Sequence, residues 1–408
     1  MALTIQPSPL GPKPGRHAER LWRRCGRALS ALCFWQKPLF FRTNVPPPRR
    51  ALSSREWYRE QALSDDALTL LDPQCSVEWR KSGFTVSHPL FGEGEWATLS
   101  YLLPETFVLK VPFGRVIGRH GTVVDNANIL IKDVSRTSFP PVNGEHYLLH
   151  EPALNPLRRK PGRYAVVSPP AQAGYHWLYE VLPRFELLRR AGYPPESFDG
   201  FYLAPPKYDA YYVTLDLLGI PKEKIVWTTR HSHFGSEELV VPSYCGVGYL
   251  LHPWVYPFLK RLAGIPEECG PKPRRRIYIS RRDAAMRRIV NEDEVCSLLQ
   301  EYGFEEVTLS GLNFREQAEL FASAEFIVSP HGGGLANLCF SHAPCKVLEL
   351  FAPDYAPLYY CYIAMSMGFD YEALVGEPVR VAEVQKNGGD IRLSSDDLRR
   401  VVEAMLAR

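Results

Sequence analysis

The stretch Ile327 to Phe351, IVSPHGGGLANLCFSHAPCKVLELF, decides the fold class. It reads as a short strand ending in a polar loop, His331-Gly332-Gly333-Gly334. A helix is expected to open at Leu335-Ala336-Asn337, and a second strand, Lys346 to Leu350, carries the carboxylate Glu349. Consecutive glycines between a strand and a helix let backbone approach a ligand closely. Amides at a helix start face an anion such as a phosphate. A histidine before such a loop and an acid on the next strand add groups able to hold a diphosphate and a ribose. A glycine-rich turn also occurs wherever a helix packs tightly on a sheet, so the flanking chain has to carry the argument.

Working outward, the same alternation continues on both sides. Arg276 to Ser280 is expected as a strand, Asn291 to Tyr302 as a helix, Glu306 to Leu309 as a strand and Phe314 to Ala324 as a helix. Beyond the loop, Pro357 to Met367 and Leu393 to Leu406 read as helices. Before the proline-bearing link Gly264 to Pro273 lies a second alternating block. Its expected strands are Tyr164 to Val167, Phe201 to Leu203 and Ile225 to Trp227, with helices at Tyr175 to Arg190 and Ala210 to Leu218. Such alternation indicates parallel α/β sheets. Residues 56–165 read as β-rich, with Phe107 to Val111, Thr122 to Asp125 and Ile129 to Ile131 as strands.

The expected class is therefore α/β. Two Rossmann-like domains facing across a cleft give a GT-B-like architecture, with a β-rich N-terminal segment. The expected division is a basic Pro/Arg-rich arm at 1–55, an N-terminal β-rich plus α/β acceptor-side domain at 56–245, and a C-terminal Rossmann-like domain with a terminal helix at 246–408.

Composition bounds the function. A chain of 408 residues, 45% hydrophobic and 23% charged, has room for two ordinary globular domains. Its longest apolar runs are the size of core strands, short of a bilayer span. The first 55 residues hold eleven Lys/Arg against Glu19 alone, leaving 37 basic and 44 acidic residues elsewhere. The basic excess thus lies outside the body, which argues against a nucleic-acid-binding core. Leu21, Trp22, Cys25, Ala28, Leu29, Leu32 and Trp35 fall near helical spacing with Arg23, Arg24 and Arg27 between them. That pattern fits a basic amphipathic helix resting on an anionic membrane surface, a helix packed on the body, or a disordered arm. Nine scattered cysteines without a CxxC pair point to free thiols in a reducing cytoplasm. The expected location is cytoplasmic, with peripheral contact to the inner membrane face through the arm.

Four blocks, in order, resemble the family 61 glycosyltransferases, which include capsular-polysaccharide enzymes. They are Tyr175-His176-Trp177-Leu178 with Leu182-Pro183-Arg184; Ile277 to Arg282 with Arg288 and Asn291-Glu292-Asp293; Phe314 to Gln317 with Leu320-Phe321 and Ala324; and His331 to Asn337 with Val347 to Leu350. The usual family loop is closer to His-Gly-Ala-Gly-Leu-Thr-Asn, so Gly333 and Ala336 here replace Ala and Thr. Backbone contacts survive that change, while a hydroxyl contact is lost. The resemblance implies a GT-B fold, an inverting reaction, no required metal or other cofactor, and a nucleotide-sugar donor held by the C-terminal part. A UDP-sugar, such as UDP-N-acetylglucosamine or a pentose analogue, is the expected donor, and a glycan or lipid-linked glycan the expected acceptor.

Inverting transfer requires a base on the acceptor hydroxyl and positive charge or amide dipoles on the leaving diphosphate. His176 is the first candidate base, with Glu180 as its orienting partner or as the base itself. Arg281 or Arg282, at the end of a strand, fits a phosphate fork, and Arg288 follows. Gly332, Gly333, Gly334 and Leu335 offer backbone amides. His331 and Asn337 are placed to meet phosphate or sugar, and Glu349 to accept the ribose hydroxyls. Arg184 lies on roughly the His176 face and is a candidate for the cleft. A sugar-nucleotide epimerase and a catalytically idle nucleotide-sugar-binding scaffold are the competing readings.

Overall fold

Two sheets form the frame of the chain in a computed structural model, which describes residues 45–61, 63–80, 98–138, 141–171, 174–247, 249–267, 275–379 and 388–408. The basic helix expected at Leu21 to Trp35 lies outside these residues, as does most of the arm. The first sheet is mixed and has ten strands. Its main path runs Arg50–Leu52, Ile129–Ile131, Thr122–Val124, Arg115–Ile117, His233–Pro242, Arg158–Val166, Gly200–Leu203 and Ile225–Trp227. The last four are parallel to one another. Strand His233–Pro242 is the junction. One edge pairs in parallel with Arg158–Val166, while the other pairs antiparallel with Arg115–Ile117 and then with Thr106–Pro112. The β-rich segment and the first α/β block are therefore one continuous sheet.

The second sheet is wholly parallel, in the order Phe304–Val307, Arg275–Ile279, Ala324–Pro330, Lys346–Phe351 and Asp370–Val375. Counted along the chain this is 2-1-3-4-5, a doubly wound order. Helix Phe314–Ala322 starts on a capping box, with Asn313 accepting from the amides of Arg315 and Glu316 and the Glu316 carboxylate accepting from the Asn313 amide. Helix Val255–Ala263 stops at Gly264, whose φ of 76° suits a residue without a Cβ.

One apolar cluster joins both sheets. It takes Ala165, Phe201 and Val240 from the first, Ile277, Ile327 and Val347 from the second, and Leu187, Leu259 and Phe321 from helices between them. The outer face of the second sheet packs under helices Glu292–Glu301 and Ser395–Leu406. The expected helix at Tyr175 to Arg190 is present, but not as one regular helix. Gly174–His176 leads into a π-helical turn, Trp177–Val181, before Leu182–Arg190.

Arg184 does not reach a cleft. It is 1% exposed, and its guanidinium donates to Val166 O at 2.8 Å, Ser168 O at 3.1 Å and Pro242 O at 2.9 and 3.1 Å. It ties together the carboxyl ends of the two central parallel strands. Replacing it strands those carbonyls without donors in the core. Arg184→Leu is expected to lower unfolding free energy by about 3 kcal/mol or more, and Arg184→Lys to recover little of it, because an ammonium lacks the planar fork. Urea denaturation followed by circular dichroism measures both; variants as stable as the wild type would contradict the assignment.

Candidate functional site

In a 2-1-3-4-5 sheet the chain leaves strands one and three in opposite directions, opening a crevice at their carboxyl ends. Here those ends are Ser280-Arg281 and Pro330-His331-Gly332. Arg281 folds over the glycine loop. A Cβ on Gly332 would lie 2.1 Å from its Nη1. Its Nη2 donates to Met286 O at 3.1 Å, and its Nε is buried with no protein partner. Burial lowers the Arg281 pKa, and the neighbouring Arg287 lowers it further, while Tyr208 and Tyr360 oppose the shift. A cation that is desolvated, crowded by a second cation and short of acceptors is poised for an anion.

The three glycines differ in what they allow. Gly332 makes room for Arg281, and Gly334 for Leu309, whose Cδ1 would lie 2.7 Å from a Cβ. Gly333 is open, with only the Tyr208 hydroxyl at 3.8 Å from such a Cβ. The segment after the loop is a 3-10 helix, Gly333–Phe340, rather than the expected α-helix. Its first amides still lack intrahelical partners. The Leu335 amide is the exception, since it donates to Gly332 O at 3.1 Å. Leu335 is fully buried and offers a ligand nothing, which corrects its place among the binding residues. Asn337 serves the loop from inside. Its Nδ2 donates to Gln317 Oε1 at 2.9 Å and Gly334 O at 3.2 Å.

His331 and Glu349 meet, though not around a ribose. The His331 Nδ1–H donates to Glu349 Oε1 at 2.5 Å, and the Tyr371 hydroxyl donates to Glu349 Oε2 at 2.5 Å. Glu349 is 0% exposed, so it cannot accept ribose hydroxyls; it orients the His331 ring instead. Phe351, Tyr355, Tyr359 and Tyr360 surround that ring with centroids 5.3 to 5.7 Å away. Arg282 and Arg288 meet other partners than the glycine loop. Arg282 turns to the other side of the strand end, onto Glu292, Asp293 and Glu306. Arg288 pairs with Asp390 at 2.8 Å on the surface. Arg287, with φ 56°, instead lies over the Tyr355 ring at 5.3 Å.

His176 and Glu180 line a separate cavity of about 630 Å³ beside Tyr175, Tyr249 and residues of the stretches 132–138 and 141–147. The His176 Nδ1–H donates to Glu180 Oε2 at 2.5 Å, which leaves Nε2 as the imidazole acceptor. Arg136 Nη1 lies 3.8 Å from Glu180 Oε1. The buried His120, not anticipated from sequence, donates from Nδ1 to Pro169 O at 3.1 Å and faces His176 electrostatically. A file of rings links the two places. Tyr175 meets Tyr249 at 4.8 Å, Tyr249 stacks on Tyr359 at 3.7 Å, and Tyr359 meets His331 at 5.7 Å.

Residues 175–348 match the family model described as Glycosyltransferase 61, the family that the four motif blocks resemble. The matched stretch contains His176, Glu180, Arg281 and the glycine loop. Lys132 to Tyr147 precedes it and Glu349 follows it by one residue. No curated protein matches the chain. Among the described residues, no helix is long and apolar enough to cross a membrane.

The cavity wall contains a built-in acid sensitivity. His146 accepts from the Leu148 amide through Nδ1, and burial pushes its pKa down to about 4. The unfolded imidazole titrates near 6.5, so the unfolded state takes up the proton first as pH falls. This contribution to stability is complete above about pH 6.5 and is lost between there and pH 4, reaching about 2–3 kcal/mol. His146→Asn, which keeps an acceptor for Leu148, is expected to flatten that limb in urea titrations at pH 7 and pH 4.5. An equal acid loss in variant and wild type would contradict it.

Proposed function

We propose that this chain, a glycosyltransferase by its family 61 stretch, is an inverting enzyme. It moves a sugar from a nucleotide-sugar to a glycan or lipid-linked glycan acceptor in cell-surface or capsular polysaccharide assembly. The observation that carries the reading is Arg281 laid into the space of the missing Gly332 side chain, at the switch point of a doubly wound sheet. A guanidinium fork beside the first amides of the Gly333–Phe340 helix suits a diphosphate. A UDP-sugar is the proposed donor. Its leaving charge is met by Arg281 and the loop amides, the role a metal ion fills in other transferases. His331, oriented by Glu349, lies beside the same loop, where its Nε2 would accept a hydrogen bond from a donor hydroxyl.

The acceptor hydroxyl is assigned to the His176 cavity. His176 Nε2 takes the hydroxyl proton while Glu180 holds the opposite ring nitrogen and stabilises the imidazolium that forms. The oxygen attacks the anomeric carbon on the face opposite the departing diphosphate, which inverts the configuration. A GT-B arrangement follows from this assignment, with the acceptor side in 56–245 and the donor side in 246–408. The proposed setting is the cytoplasmic face of a membrane, reached through the basic arm.

Calorimetric titration with UDP, GDP, CMP and dTDP, with and without EDTA, tests the donor site. One nucleotide is expected to bind selectively and insensitively to EDTA. Arg281→Ala should weaken it by about tenfold or more, the scale of a lost charge-assisted hydrogen bond. Gly332→Ala, which displaces the guanidinium, is expected to approach that loss, while Gly333→Ala stays within about threefold, because its Cβ meets open space. Folded protein that binds none of the four nucleotides overturns the transferase reading and leaves the scaffold alternative.

A further inference from the structure

The cavity that holds His176 is walled largely by a segment outside the family-matched stretch. Lys132, Ser135, Arg136, Thr137, Glu145 and His146 all line it. One of these side chains reaches the histidine's partner. Arg136 approaches Glu180 Oε1 at 3.8 Å, while Glu180 Oε2 accepts from His176. Arg136 is itself held firmly. Its Nη2 donates to Gly246 O at 2.8 Å, and its guanidinium lies over the Tyr244 ring at 4.4 Å. Arg184 lies 4.7 Å from the centroid of the same ring, so Arg136 is anchored to the feature that fixes the sheet. Glu180 is 7% exposed, and the charge of a buried carboxylate is costly unless a cation or hydrogen bonds meet it.

We propose that Arg136 is a positioning residue that holds the Glu180 carboxylate against His176 and offsets its charge there, so that the β-rich segment completes the base of the matched domain. The inference rests on the transferase reading for its meaning in catalysis, but the coupling is measurable without turnover. The titratable groups around His176 are Glu180 and Tyr175 on the same helical stretch, Lys132, Arg136, Glu145, His146 and Tyr147 across the cavity, Tyr249 beside it, and His120 from the turn between strands Arg115–Ile117 and Thr122–Val124. Removing the Arg136 charge leaves the Glu180 anion uncompensated and favours imidazolium, so the His176 midpoint must rise.

The experiment is a pH titration of the histidine imidazole resonances in the full chain, with the His176 line assigned by its loss in His176→Gln. Arg136→Gln is expected to raise that midpoint by about half to one pH unit, the scale of a unit charge acting across a partly screened site. The same substitution in a Glu180→Gln background should give less than half that rise. An unmoved midpoint, or an equal rise in both backgrounds, overturns the proposal. Should Arg136→Gln not fold, Arg136→Lys decides: a retained charge keeps the midpoint near wild type, and a rise of half a unit overturns it. Nucleotide affinity separates the two claims. Arg136→Gln should leave the dissociation constant within about twofold, because the donor loop does not contain it. Protein that binds no nucleotide removes the transferase reading without altering the imidazole result.

Discussion

A buried guanidinium that spends its hydrogen bonds on backbone carbonyls governs the arrangement of this molecule. Arg184 sits in the core and spends its donors on the backbone carbonyls of Val166, Ser168 and Pro242. Those carbonyls lie at the carboxyl ends of strands that are adjacent in space but far apart in sequence. Joining them fixes where the chain leaves the sheet, and the loops that leave there supply Pro170, Ala171 and Val247 to the cavity around His176. Removing a charge from water is costly unless every donor finds an acceptor. The arrangement therefore tolerates little change in the distance between the two strand ends.

The two histidines of the site share a design. Each gives its Nδ1–H to a buried carboxylate, His176 to Glu180 and His331 to Glu349. In both cases a further side chain steadies the carboxylate, Arg136 for Glu180 and the Tyr371 hydroxyl for Glu349. The supports differ in charge, and the difference fits the proposed roles. A cation behind Glu180 offsets the charge of a carboxylate held against an imidazole. A neutral phenol behind Glu349 holds a ring in place within a shell of aromatic side chains. The ring file from Tyr175 through Tyr249 and Tyr359 lets the two assemblies pack as one body.

Much of the frame was legible because parallel strands are short apolar runs followed by amphipathic helices. Arg275–Ile279, Ile225–Trp227 and Lys346–Phe351 lie within a residue of their expected bounds. Strand His233–Pro242, the junction of the first sheet, went unread. Gly235, Glu237 and Glu238 interrupt its apolar pattern, and the strand joins different partners along its length, so no single periodicity describes it. Helix Val255–Ala263 and strand Asp370–Val375 were missed as well. At the site, residue types were readable but their directions were not. Arg281 and Arg282 are neighbours at a strand end, where successive side chains face opposite ways; one meets the glycine loop and the other meets helix Glu292–Glu301. Glu349 read as a ligand because burial is invisible in sequence. The wall from Lys132 to Tyr147 has no motif, and only folding brings Arg136 to Glu180.

The π-helical turn at Trp177–Val181 sets a rotational phase. In a regular α-helix, side chains eight residues apart point roughly 80° away from each other, at about 100° of turn per residue. His176 and Arg184 stand eight apart, yet both address the same pair of strand ends, one lining the cavity beyond them and the other tying their carbonyls. The wider turn absorbs part of that offset. Shortening this stretch by one residue would restore ideal helical geometry and at the same time swing His176 out of step with Arg184. Local regularity and the shared orientation of these two side chains are thus mutually exclusive, and the chain has kept the irregular solution.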